Sequence, residues 1–180
     1  MLTCNLCCPD VNQVKHFQEI EINNENIKMI IISESVPRNI SDYFDGKGIP
    51  VFIKNTNTLF NQIGYDFKTY KDYLNNGIYL TTAIKCLKKE YLVSAKTIEE
   101  CSYILEKEIM PFINTKVIML MGDFAIKSIN YIWKRKYKQK VIPNGATYKI
   151  RKEKYIFNGI SFTNSNRNPS NASHRMTCKL

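Results

Sequence analysis

No stretch of the 180 residues stays apolar long enough to cross a bilayer, which excludes a transmembrane helix on sequence grounds. The opening residues MLTCNLCCPDVNQ lack the basic-then-apolar order of a secretory signal. The expected location is therefore the cytoplasm, where thiols stay reduced and disulfides are rare. No internal repeat is visible, so a solenoid is not expected. Acidic residues are in the minority, with 16 Asp and Glu against 26 Lys and Arg, for a formal net charge of +10 and a pI near 9.3. That balance argues against a cationic partner and favours an anionic one, of which nucleic acid is the commonest. The chain is also rich in Asn, Ile and Lys, a compositional bias that yields basic charge without any partner. With 44% hydrophobic residues there is enough material for one sizeable core, so residues 1–180 are expected to form a single domain, acting as a monomer.

The cysteines carry the most unusual pattern. Cys4 and Cys7 form a Cys-x-x-Cys pair, and Cys86 and Cys101 follow far downstream with fourteen residues between them. Thiolates two residues apart can share one metal or cluster because the intervening turn points both sulfurs the same way, and four thiolates suit zinc or an iron–sulfur cluster. Zinc ribbons usually close with a second Cys-x-x-Cys, so the long second spacing favours a cluster over zinc. The competing reading is that cysteine is merely a small buried hydrophobe, and it is adopted for Cys8 and Cys178. Cys8 is also an alternative to Cys7 as a ligand.

Apolar runs and turn signals alternate along the chain. Lys28 to Ser33 (KMIIIS) reads as a buried strand ending in the polar ESVPRN turn, and Ile78 to Thr82 as a second strand. Between them, Thr56 to Gly64 and the segment KTYKDYL read as helices. Thr97 to Glu100 has capping-box spacing, after which Ile98, Cys101, Leu105, Ile109 and Phe112 recur at helical intervals. Lys116 to Met121 is a third strand leading through Gly122 into the helix DFAIKSINYIWKR, and Gly159 to Thr163 a fourth. This alternation predicts a three-layer α/β/α fold with a central, mostly parallel four-stranded sheet, whose ligands sit at the carboxyl ends of the strands.

Taken in order, Cys-x-x-Cys, a strand, SESVP, TTAIKC, a second Cys early in a helix, MGDFA and a terminal strand with a polar Pro-Ser loop resemble the uracil-DNA glycosylase superfamily. The similarity runs over nearly the whole chain and is greatest to its iron–sulfur branch. It implies that Cys4, Cys7, Cys86 and Cys101 hold a [4Fe-4S] cluster. The first catalytic motif of the family reads Gly-Glu-Ala-Pro-Gly, and Ser33-Glu34-Ser35-Val36-Pro37 keeps the acidic residue, with its proline one place later. Glu34 is thereby implied as catalytic, because breaking an N-glycosidic bond builds positive charge on the sugar that an anion can stabilise. Its ordinary alternative is a loop glutamate. Ser35 is implied as a substrate contact beside it.

Two positions depart from the family. The strand asparagine that reads the uracil edge is matched by Thr82, which offers a hydroxyl in place of an amide's paired donor and acceptor. The histidine that opens the second catalytic motif has no counterpart in the stretch Phe162 to Ser170. Asn164 or Asn168 can donate a hydrogen bond to the leaving base instead, and Asn168 is preferred because Asn168-Pro169-Ser170 keeps the family Pro-Ser, with Ser170 a substrate contact; otherwise these are turn formers. Of the two histidines, His16 is expected to be structural and His174 to lie at the surface beside Arg175. A ring that stacks on an extruded base is expected after the first motif, with Phe52 the closer match and Phe44 its rival, although either can equally be a core residue.

Two features suit phosphate. Arg167 and Arg175 flank the loop implied to be catalytic, and Tyr131 to Lys140 interleaves aromatics with five cations, a run equally explained as a solvated helix end. The implied function is a DNA base-excision N-glycosidase acting on a flipped-out damaged base such as uracil. A nucleic-acid-binding module without excision activity, and an N-glycosidase for another base or nucleoside, are the alternatives that Thr82 and the missing histidine leave open.

Overall fold

The computed structural model describes residues 8–12, 21–37, 39, 42–44, 50–143, 150 and 153–164. Among these residues six strands form one sheet: β1 (Val11–Asn12), β2 (Met29–Val36), β3 (Ile78–Lys88), β4 (Val117–Leu120), β5 (Lys154–Phe157) and β6 (Ile160–Asn164). Their spatial order is β1-β3-β2-β4-β6-β5. The inner four are parallel, and β1 and β5 add to the edges antiparallel. The four strands read from sequence are these parallel four. The two additions escaped because β1 has only two residues and β5 alternates half-buried with exposed positions, giving no apolar run.

Among the described residues four α-helices cover the sheet: α1 (Val51–Gln62), α2 (Tyr70–Asn75), α3 (Ala95–Ile109) and α4 (Asp123–Tyr137). α1 begins earlier than expected and buries Ile53, Thr56, Asn57 and Phe60, spaced as one helical face. With Tyr73 of α2 it covers Met29, Ile31, Ile78, Leu80 and Met119 on one side of the sheet. α3 and α4 cover Ile30, Ile32, Tyr79, Ile118, Leu120 and Phe162 on the other. α3 starts two residues before Thr97, because Ser94 is the true cap and its hydroxyl accepts the Thr97 amide. Thr97 instead points its own hydroxyl at Asp10.

This arrangement sets where the carboxyl ends converge. From β2 the chain passes through α1 and α2 to β3 on one side, then resumes through α3 at β4 on the other. The strand order therefore reverses at β2, and the crevice of such a sheet opens at the carboxyl ends of β2 and β4. Among the described residues no helix is long and apolar enough to cross a membrane.

Candidate active site

Glu34 sits near the carboxyl end of β2, half-buried, at that reversal point. Pairing within the parallel sheet sorts the neighbouring residues by face. Ser33 is in register with Thr82, and Ile32 with both Thr81 and Leu120, which in turn pairs with Asn164. Side chains alternate along a strand, so Ser33, Ser35 and Thr82 share the α1–α2 side, whereas Glu34, Leu120 and Asn164 share the α3–α4 side.

The Glu34 carboxylate has a built seat. Its Oε1 accepts the backbone N–H of Asp123, the first residue of α4, at 3.0 Å. The preceding residue, Gly122, has φ +107 and ψ 173, a conformation reached almost only by glycine. A Cβ built there would lie 2.4 Å from both Cγ and Oε1 of Glu34, closer than atoms can approach. The helix N-terminus favours negative charge at that point. Glu34 is therefore a strand residue docked on a helix end, and not an ordinary loop glutamate.

The remaining expected site residues divide. Thr82 is 1% exposed, and its hydroxyl oxygen has no hydrogen-bond partner among the described residues. Asn164 is buried at the end of β6. Phe44 is buried and packs on Phe52 with ring centroids 4.9 Å apart, whereas Phe52, on the first turn of α1, is half-buried. Asn168, Ser170, Arg167 and Arg175 lie outside the described residues, as do His16, His174, Cys4, Cys7 and Cys178.

The basic run of α4 is placed away from this edge. A helix of fifteen residues carries its last turn about 20 Å from its first, so Lys134 to Lys138 lie toward the opposite end of the sheet from Glu34. Trp133 is buried, Arg135 forks onto Glu106 at 2.7 and 3.2 Å while stacking on Tyr103, and Lys138 caps the helix in the left-handed conformation. Among the described residues nearer the site's edge, Lys88 Nζ lies 5.0 Å from the Phe124 ring centroid and 5.6 Å from that of Tyr91, and Lys127 pairs with Asp123 at 2.6 Å.

Cys86 and Cys101 are 2% and 1% exposed and belong to one apolar cluster. Strict alternation would put Cys86 on the Leu80 side of β3. The alternation fails over residues 84–86, where pairing with β2 steps from Ser35↔Ile84 to Val36↔Leu87, leaving Lys85 and Cys86 as extra residues. Such a bulge re-aims side chains, and it brings Cys86 to the cluster containing Cys101. Cys8 packs against that cluster too, yet among the described residues no three His, Cys, Asp or Glu are grouped to hold a metal ion. Of the three described cysteines, Cys86 and Cys101 lie within that cluster and Cys8 lies against it, and Cys4 and Cys7 fall outside the described residues.

Two polar constellations went unread in the sequence. Buried Lys85 pairs with Glu108 of α3 and donates to Thr81, while Tyr79 and Thr81 donate to Glu108 Oε1 at 2.6 and 2.8 Å. Burial, then the charge of Glu108, pushes the Tyr79 phenol well above its ordinary range. Asp10 accepts from the Ser94 amide at 2.6 Å and from the Thr97 hydroxyl, tying the N-terminal segment to the start of α3. Burial works against the Asp10 charge, but the hydrogen bonds from Thr97 and Ser94 outweigh it and lower its pKa. Their only sequence signal was a lysine inside an apolar strand.

A parallel α/β sheet with a carboxylate seated at its reversal point defines a protein whose ligand chemistry belongs at the strand ends. The sequence matches the family model described as Uracil DNA glycosylase superfamily over residues 21–179, and the chain belongs to that superfamily. No curated protein matches it.

Proposed function

We propose that the protein is a DNA glycosylase that hydrolyses the N-glycosidic bond of a base held out of the stack at the carboxyl ends of β2 and β4. The observation that carries this reading is the Glu34 carboxylate seated on the α4 amide at the reversal point of a sheet of this superfamily. In the reaction the C1′–N bond breaks with its electron pair leaving on the base, and water adds to C1′. Glu34, with one oxygen held, stabilises the positive charge on the sugar and takes the proton of the attacking water. Phe52, half-buried, offers a ring for the base, and Asn164 or Asn168 a donor to the leaving anion. Ser35 and Ser170 are proposed substrate contacts, and Arg167, Arg175 and Lys88 proposed phosphate contacts. Cys4, Cys7, Cys86 and Cys101 would hold an iron–sulfur cluster as a structural staple without redox chemistry, with zinc as the alternative occupant.

The test is single-turnover excision on oligonucleotides carrying uracil, hypoxanthine or xanthine. Glu34→Gln is expected to leave fold and DNA affinity intact while slowing excision by about a hundredfold or more. An unchanged rate removes Glu34 from the mechanism.

One observation favours a second reading. The Thr82 hydroxyl is buried, and the resemblance matches Thr82 to the family's base-reading asparagine, so a module that binds DNA without excising uracil is the alternative. It predicts salt-sensitive DNA binding with no excision, even after Thr82→Asn combined with Asn168→His. Uracil release by that double variant would instead show weakened substrate reading.

A further inference from the structure

We propose that Gly122 is a positioning residue for the Glu34 carboxylate, so that filling its empty side-chain space disables the same chemical step as removing Glu34. This rests on the reading of Glu34 as the reacting carboxylate, and the experiment below separates the two.

Glutamate carries several rotatable bonds, and fixing them costs rotamer entropy. A carboxylate free to sample those rotamers would meet the sugar in a productive pose only part of the time, and small misplacements at a reacting group cost large factors in rate. At Gly122 two properties of one residue remove that freedom. Its backbone, at φ +107 and ψ 173, delivers the α4 chain so that the Asp123 N–H meets Oε1 at 3.0 Å. Its missing side chain leaves the space that Cγ and Oε1 of Glu34 occupy. Any L-residue fails on both counts, by backbone strain and by collision. Oε1 is thus spoken for, and Oε2 is the oxygen assigned to the sugar and water.

The two penalties can be separated within this protein. Gly64, just past the end of α1, has φ +99 with nothing within 4 Å of a built Cβ. Gly64→Ala reports an alanine at positive φ with no collision, and Gly122→Ala measured with and without the Glu34 side chain isolates the collision at constant backbone. The experiment compares Gly122→Ala, Gly64→Ala, Glu34→Ala, Glu34→Gln and the Gly122→Ala combinations with each Glu34 variant, by thermal melting, DNA affinity and single-turnover excision.

Gly122→Ala is expected to lower the melting temperature by at least about 3 °C more in the parent than in the Glu34→Ala background, where the colliding atoms are gone. Should Gly122→Ala alone fail to fold, folding of the Gly122→Ala/Glu34→Ala pair gives the same answer. In excision, Gly122→Ala is expected to lose about a hundredfold at unchanged DNA affinity, and adding Glu34→Gln to cost little more, as for residues serving one function. Gly64→Ala should keep the parent rate. An equal cost of Gly122→Ala with and without the Glu34 side chain overturns the seat. An active parent whose rate survives Gly122→Ala overturns the positioning role while leaving the glycosylase reading intact. A parent that excises nothing overturns both the role and the assignment of Glu34, even if the melting excess is found.

Discussion

Lys85→Met removes the cation from a buried polar cluster, and the structure sets the size of the effect. Lys85 is 4% exposed on its side chain and Glu108 19%, so the pair is held in a poorly hydrated layer between β3 and α3. Breaking such a pair from one side costs about 3–5 kcal/mol, because the remaining charge stays buried without its counterion. Glu108 keeps two donors, Tyr79 and Thr81, and retains some water, so the lower end, about 3 kcal/mol, is expected. For a domain of this size that is a fall of about 6–12 °C in melting temperature. Adding Glu108→Gln removes the stranded charge while keeping an acceptor for Tyr79, and most of the loss should return. The assay is reversible thermal or urea unfolding of the parent, the single variants and the pair at neutral pH. An unchanged melting temperature in Lys85→Met, or a double variant no better than the single, would refute the view that a stranded carboxylate drives the loss. Because the Tyr79 phenol is pushed up, its stabilising contribution is complete below pH 10, the ordinary phenol value, and falls as pH rises beyond it toward the folded value.

Asp10→Asn should destabilise the protein by about 1 kcal/mol at neutral pH, the scale of a lost helix cap. Since the folded pKa is lowered from 3.8, the difference from the parent should hold above that value and shrink as pH falls through the folded pKa; a gap that persists at low pH would deny the ionised latch. Protein expressed with ample iron is expected to be brown, and Cys86→Ser or Cys101→Ser to bleach it and lower its melting temperature. A colourless preparation with stoichiometric zinc would reassign the occupant, and one without metal after anaerobic handling would remove it.

The N-terminal arm shows why a site can be half legible. The proposed cluster of Cys4, Cys7, Cys86 and Cys101 would staple that arm, but Asp10, β1 pairing and a Lys89 bond to the Pro9 carbonyl tie the described part down independently of any metal. A lone aspartate carries no sequence signal, because its partners, Ser94 and Thr97, lie more than eighty residues away. The capping-box spacing at Thr97 misplaced the helix start for the same reason. Two hydroxyls competed for the role, and Ser94 took it while Thr97 was drawn to Asp10.

The sequence by itself determined the layered α/β order and the four parallel strands, because apolar runs and helical periodicity are local signals. It also singled out Glu34 and the Met121-Gly122 junction, each separately. Only the tertiary structure decided that they belong together: the reversal of strand order at β2 lays the end of β4 beside it, and the first amide of α4 then falls on the carboxylate. The bulge that turns Cys86 into the cluster under α3 and α4 and the ion pair of Lys85 with Glu108 have the same origin. Which strand a residue meets depends on topology and register, long-range properties that composition and periodicity do not encode.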